Sequence, residues 1–322
     1  MTKTRVLVIA AEGLERFIPA LGAAAAVRTH HGDAEITLLT SESTKSFAEA
    51  SPYFNEIWTT NLRGNWDFAR LWALRKRLRE PLFDRVYDLD ASAKSKRLFW
   101  LINGLQGLPL RRKRLPWSGV IKHTALAHKS AHWNAMHSAD RWAAQLAAAG
   151  ISGLHRPDLS WIARNVRSFD VPFRMHEPFV LISVNAGPGS SWPTHRYGEL
   201  TRSLADDGLN PVLTGFNVDP DKATDLMRIY GSAVNLMNQI SPEDLVFLSW
   251  AAVAAVGPDS GVMHLTAAAA CHSVVIYDGT SDPALTGQRG DSVVILRRPH
   301  LEDISIGEVI SAIRKSPKIG GI

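Results

Sequence analysis

Residues 253–283 read V-A-A-V-G-P-D-S-G-V-M-H-L-T-A-A-A-A-C-H-S-V-V-I-Y-D-G-T-S-D-P, and no other stretch limits the fold as tightly. The apolar run at 252–256 has the length of a buried strand, and Gly257-Pro258 ends it. Asp259 or Ser260 then offers an N-cap. Residues 262–270 are small and mostly apolar, so the helix they form must lie buried on a sheet. A second apolar strand at 273–277 follows, and G-T-S-D-P turns the chain away at 279–283. The unit is β-α-β, and its first turn is made of small residues at a helix N-terminus. Free backbone N–H groups and the positive end of the helix dipole suit a phosphate there. His264 falls in the first turns of the same helix, close enough to face the same anion. The competing reading makes Asp259 a cap, Gly261 a close-packing residue and His264 a hydrogen-bonded core histidine.

The same alternation runs through the chain. Strands are expected at 5–11, 35–40, 56–59 and 85–89, with helices at 14–30, 44–50 and 65–79 between them. The 65–79 helix carries Phe68, Leu71, Trp72 and Leu78 on one side and its Arg/Lys set on the other. The 104–133 segment is irregular, and an Ala-rich helix follows at 139–149. Pro157, Pro172 and Pro178 mark a linker at 153–178. Beyond it, strands at 179–184, 211–214, 233–236, 252–256, 273–277 and 293–296 alternate with helices. This is an α/β chain with parallel sheets and right-handed crossovers, and 322 residues suffice for two cores. We place a first domain at 1–170 and a second at 171–322.

Strand carboxyl ends of open parallel sheets converge on the crevice where ligands bind. In the second domain this brings four turns together, at 185–191 (N-A-G-P-G-S-S), 215–219, 238–241 and 258–264. The candidate ligand-binding residues are Asn185, Ser190, Ser191, Gly215, Asp219, Asp259, Ser260, Gly261, Val262 and His264.

Composition narrows the class. The single cysteine, Cys271, rules out an internal disulfide framework and points to a reducing compartment. The apolar run after Lys3 and Arg5 is too short for a signal peptide, and no stretch is long enough to span a bilayer. The protein is therefore expected in the cytoplasm. Its net charge of +5 is concentrated: residues 63–114 hold fourteen Lys/Arg against five Asp/Glu. That segment suits an anionic acceptor or the inner face of a membrane, and no nucleic-acid-binding motif accompanies it. His123, His128, His132 and His137 recur at about one helical turn, but no cysteine or paired carboxylate joins them, so no metal site is expected.

D-S-G-V-M-H-L-T-A-A at 259–268, followed by a strand and G-T-S-D-P, resembles the signature of the family 9 glycosyltransferases, the heptosyltransferases of lipopolysaccharide synthesis and their relatives. Thr266 stands where that signature usually has Ala. Similarity extends to P-A-L-G-A-A-A-A-V-R (19–28), A-S-P-Y-F-N-E-I-W (50–58), Y-D-L (87–89) and W-P-T-H-R-Y (192–197). The resemblance implies a GT-B fold: two Rossmann-like domains with parallel sheets facing a central cleft, the last helix often packing back on the first domain. It implies an inverting transferase that takes a nucleotide sugar, such as ADP-heptose, as substrate and uses no cofactor, with a lipopolysaccharide or other cell-envelope glycan as acceptor.

Two positions depart from the family pattern. The family carries Gly-Asp in the first β-α turn, with that Asp as base, and here Glu12-Gly13 stands there. The resemblance therefore leaves Glu12 or Glu15 as the catalytic carboxylate. The family also places Lys or Arg before Trp-Pro, where this chain has Ser191. These departures leave a second reading open, a catalytically silent GT-B protein that binds a nucleotide sugar or glycolipid as a partner or scaffold. A GT-B epimerase is a third.

Overall fold

The computed structural model describes residues 3–10, 12–60, 68–79, 83–104, 115–122, 124–128, 130–154, 156–164, 171–185, 192–231 and 233–319. The chain divides into two compact units, Met1–Pro157 and Asp158–Ile322.

The first unit runs β1 (Arg5–Ile9), α1 (Leu14–His30), β2 (Glu35–Thr40), α2 (Lys45–Ala50), β3 (Glu56–Thr59), α3 (Phe68–Arg79), β4 (Arg85–Asp88), α4 (Ala93–Asn103), β5 (Trp117–Gly119), β6 (Leu126–Ala127) and α5 (Ser138–Ala148). Its strands are parallel, in the order β3-β2-β1-β4-β5-β6. The second runs β7 (Phe179–Ser183), α6 (Thr194–Asp206), β8 (Asn210–Thr214), α7 (Pro220–Ile229), β9 (Val234–Asn235), α8 (Pro242–Ala251), β10 (Ala254–Pro258), α9 (Gly261–Ala268), β11 (Ser273–Tyr277), α10 (Pro283–Thr286), β12 (Val293–Arg297) and α11 (Ile306–Ile313). Its strands are also parallel, in the order β12-β11-β10-β7-β8-β9. Each sheet thus repeats the doubly wound order 3-2-1-4-5-6, with a switch point where the chain reverses direction across the sheet. The switch lies between β1 and β4 in the first unit and between β7 and β10 in the second.

The central strands are buried on both faces, as parallel strands covered by helices must be. The second core is built from Val180, Ile182, Val256 and Ile276 with Trp192, Tyr197 and Leu200 above them. Gly257 sets how closely β7 and β10 approach. A Cβ there would lie 2.6 Å from the Ser183 Cβ and 2.8 Å from its carbonyl oxygen, and backbone cannot swing aside. The α11 helix packs on α6, β10 and β11 of its own unit, with Val309, Ile310, Ala312 and Ile313 in that core.

Three features escaped the sequence reading. The α4 helix starts at Ser92, whose hydroxyl accepts from the amides of Lys94 (3.1 Å) and Ser95 (3.4 Å). Its stripe of Leu98, Phe99 and Ile102 is buried, but Lys94, Lys96 and Arg97 mask it in the sequence. The β5 and β6 strands are too short to show a period. Trp72, assigned by its spacing to the apolar side of α3, is 59% exposed; Leu78 faces the core as expected, joined by Leu74.

Replacing Gly257 with Ala should destabilise the second unit by about 1–3 kcal/mol, the usual range for overpacking a filled core. Thermal unfolding should show a Tm several degrees lower; an unchanged Tm would contradict the close approach of β7 and β10.

Candidate active site

The turn between β10 and α9 is held from within. Ser260 is the N-cap, extended in backbone, and its hydroxyl accepts from the Met263 amide at 3.5 Å. Its carbonyl accepts the His264 amide at 3.1 Å. The Ser183 hydroxyl lies 3.4 Å from the Ser260 hydroxyl, so the end of β7 meets the start of α9 at the switch point. Gly261 and Val262 open the helix, and their N–H groups meet no protein acceptor among the described residues. These are the orphan donors of a helix N-terminus, and they suit an anion. The Val262 side chain is buried, so its part in the site is the backbone. Thr266 donates to the Met263 carbonyl at 3.1 Å and bonds the Ser273 hydroxyl at 3.0 Å, which accommodates a hydroxyl inside this helix.

Asp259 and His264 come together. The imidazole Nε2 lies 3.9 Å from Asp259 Oδ1, and His264 is buried. Two residues absent from the sequence reading complete the cluster. Gln288 donates through Nε2 to Asp259 Oδ1 at 2.7 Å, and its own Oε1 accepts from the Tyr277 hydroxyl at 2.6 Å. Burial pushes the Tyr277 phenol well above its ordinary range, so it stays a donor. Gln288 lies beyond the motif, outside any spacing that would have marked it.

Other candidates have structural work. The Asn185 side chain clamps the Phe216 backbone, donating to its carbonyl and accepting its amide, both at 2.8 Å. Asn238, in left-handed conformation at φ 57°, clamps Val218 in the same way. Gly215 leaves room for this: a Cβ there would lie 2.5 Å from Val218 Cγ2 and 3.0 Å from Asn185 Oδ1. Asp219 caps α7, accepting from the amides of Asp221 (3.0 Å) and Lys222 (3.1 Å). Asn185, Gly215 and Asp219 therefore shape the turn, with the Asn185 amide and Asp219 Oδ1 engaged within the protein. Ser190 and Ser191 lie outside the described residues.

A cation that no motif announced stands at the same edge. Lys222 donates to the Val184 carbonyl at 3.2 Å, just past the end of β7. Burial lowers its pKa, and it sits in the first turn of α7 beside the positive end of the helix dipole. Both effects disfavour its charge.

The first unit carries a different chemistry at its own switch point. A cavity of about 170 Å³ lies at the carboxyl ends of β1 and β4, lined by Glu12, Glu15, Arg16, Asp90, Ser92 and Lys94. Lys94 bonds Glu12 at 3.0 Å. Arg16 pairs with the Asp90 carboxylate at 3.2 Å and donates to its carbonyl at the same distance, and the Ser92 hydroxyl donates to Asp90 as well. The structure thus places both predicted carboxylates in one pocket. Gly13 has φ +86°, a conformation that side-chain-bearing residues rarely adopt, so a glycine suits that position. Asp88, beneath the pocket, is fully buried and accepts from the Ala91 amide at 2.9 Å. Burial raises its pKa to about 6.

Among the described residues no group of His, Cys, Asp or Glu could hold a metal ion. His137 caps α5, accepting from the Ala139 amide at 3.2 Å, and His128 packs its ring against Trp133; His123 lies outside the described residues. Cys271 is buried, and burial pushes its thiol up to about 12, a packing residue rather than a nucleophile.

Residues 71–309 match the model of glycosyltransferase family 9 (heptosyltransferase). The chain belongs to this family. It is 28% identical over 243 residues to lipopolysaccharide heptosyltransferase 2 of Escherichia coli K12, covering 68% of this chain and 66% of that protein. It is 27% identical over 249 residues to lipopolysaccharide heptosyltransferase 1 of the same strain, covering 74% and 75%. Among solved structures, E. coli ADP-heptose lps heptosyltransferase II superposes with a TM-score of 0.76 at 20% identity, over 99% of this chain and 100% of that one. E. coli heptosyltransferase WaaC with ADP gives 0.73 at 17% identity, over 97% and 100%. These likenesses fix the fold of this family 9 chain as GT-B, with two Rossmann-like units.

Two predictions follow from this geometry. Gln288→Leu leaves Asp259 and the Tyr277 hydroxyl without their buried partner, which should cost about 1–3 kcal/mol. A lowered Tm checks it, and a Tm equal to that of the parent would remove Gln288 from the cluster. Asp88 has a folded pKa raised above its unfolded value, so the folded state holds a proton that the unfolded state has lost between about pH 4 and pH 6. Its contribution is present below the unfolded pKa and falls as pH rises through that window. Stability of the parent minus that of Asp88→Asn should therefore decrease from about pH 4 to pH 6 and then level off. A difference independent of pH in denaturant titrations would refute the assignment.

Proposed function

We propose that the protein is an inverting, metal-independent glycosyltransferase that moves heptose from ADP-heptose to a lipopolysaccharide or other cell-envelope glycan in the cytoplasm, at the inner face of the membrane. The single observation that carries the reading is the Ser260-capped start of α9, with the Gly261 and Val262 amides unmatched at the switch point. The names of the relatives, lipopolysaccharide heptosyltransferases 1 and 2, support the sugar and the acceptor class. The relative with ADP in its structure supports the nucleotide.

In this reading the second unit binds the donor. The α9 amides and helix dipole receive the diphosphate, Lys222 adds positive charge, and Asp259 accepts hydroxyls of the sugar. The first unit holds the acceptor, drawn in by the basic 63–114 segment. The acceptor oxygen attacks C1 of the heptose from the face opposite the nucleotide. The bond from C1 to the β-phosphate oxygen breaks, and its electron pair leaves with ADP. The acceptor proton passes to Glu12, which the Lys94 ammonium at 3.0 Å orients. Glu12 is preferred to Glu15 because it is half-buried and held, whereas Glu15 is exposed in the first turn of α1. A carboxylate poised in a pocket at the first switch point also favours an active transferase over a silent binding protein.

Glu12→Gln should lower kcat by about 10²–10⁴, the usual contribution of a positioned base, while ADP binding by calorimetry stays unchanged. Glu15→Gln should have a much smaller effect. Transfer assays with ADP-heptose and a lipopolysaccharide core acceptor decide this, and full turnover by the Glu12 variant would overturn the assignment.

A further inference from the structure

We propose that α3 and α4 dock the protein on the surface of an anionic lipid bilayer, with the Trp72 ring entering the headgroup layer. The inference rests on the reading that the acceptor is a cell-envelope glycolipid, and it names the surface that would bring the protein to it.

The sequence of α3, F-A-R-L-W-A-L-R-K-R-L-R, has five basic residues and no acidic one, and α4 has three basic and no acidic residue. The two helices pack together. Leu74 and Leu78 of α3 meet Leu98, Phe99 and Ile102 of α4 in the core of the first unit, which turns the opposite sides outward. There Lys76, Arg77, Lys96 and Arg97 are exposed. The Arg77 guanidinium lies 4.4 Å over the Trp58 ring, so one of these charges is fixed by the fold.

Trp72 sits among them at 59% exposure; among the described residues only it and Ile295 are large, apolar and exposed. A tryptophan flanked by cations on an acid-free helix has the composition of an interfacial anchor. The ring prefers the headgroup layer, and the cations are drawn to anionic lipid. The aliphatic stems of the Lys and Arg side chains can lie along that layer with their heads in water. The same α4 that presents Lys96 and Arg97 also places Lys94 on Glu12, so the docking face and the first-unit pocket share one rigid element. A single ring is a poor platform for single-stranded nucleic acid, which is held by successive stacked bases.

The full chain should co-sediment with vesicles of phosphatidylglycerol and phosphatidylethanolamine, weaken as salt is raised, and stay in solution with phosphatidylcholine vesicles. Trp72→Ser and, separately, Lys96→Glu/Arg97→Glu should each weaken vesicle binding by about tenfold, while ADP affinity and the circular dichroism spectrum stay unchanged. Equal binding to neutral vesicles, or binding indifferent to both variants, would overturn the proposal. So would a single-stranded oligonucleotide that binds more tightly than the vesicles and displaces them. The assay contains neither donor nor acceptor. Vesicle binding without transfer would therefore count against the transferase reading alone, and transfer without vesicle binding against the docking face alone.

Discussion

The structure depends on how closely two parallel strands can approach where the sheet of the second unit reverses. Gly257 sits against the Ser183 backbone, with no room for a side chain between them. That approach leaves the Ser183 and Ser260 hydroxyls 3.4 Å apart and fixes where α9 begins. A helix that begins there must leave its first amides unbonded, because the Ser260 side chain satisfies only the third of them. The unmatched amides of that turn are thus a consequence of the strand order and one glycine, and side chains stand only at its rim. Asp259, aligned by Gln288 and backed by Tyr277, is that rim.

The first unit solves the same topological problem with opposite chemistry. Its switch point is lined by paired charges, Glu12 with Lys94 and Arg16 with Asp90. Partly exposed ion pairs of this kind add little net stability, but they orient a carboxylate in a small cavity. One strand order therefore carries a Ser-capped helix start in one unit and a cluster of paired charges in the other. The differing residues at the helix starts decide which.

Much of this was legible in the sequence, and the limits are physical. The β-α alternation and the α9 turn showed because buried parallel strands and a capped, small-residue helix leave strong local patterns. Asp259, Ser260, Gly261 and His264 stood out for the same reason, whereas Glu12 and Glu15 were named only through the resemblance to the family. Gln288 and Lys222 were not, since each acts across a distance in sequence: Gln288 reaches back 29 residues and Lys222 back 38. Asn185 and Asp219 also hold their own turn and helix cap, a structural role that amides and carboxylates at strand ends commonly serve and that spacing does not reveal. The α4 helix was hidden by its own lysines, and Trp72 was misplaced because a period of 3.6 does not say which side of a short basic helix faces the core.

The most direct test of the central claim is a crystal structure of the chain soaked with ADP. The account predicts a β-phosphate oxygen within hydrogen-bonding distance of the Gly261 and Val262 amides, at the capped start of α9. A nucleotide bound elsewhere, with that turn unoccupied, would contradict it.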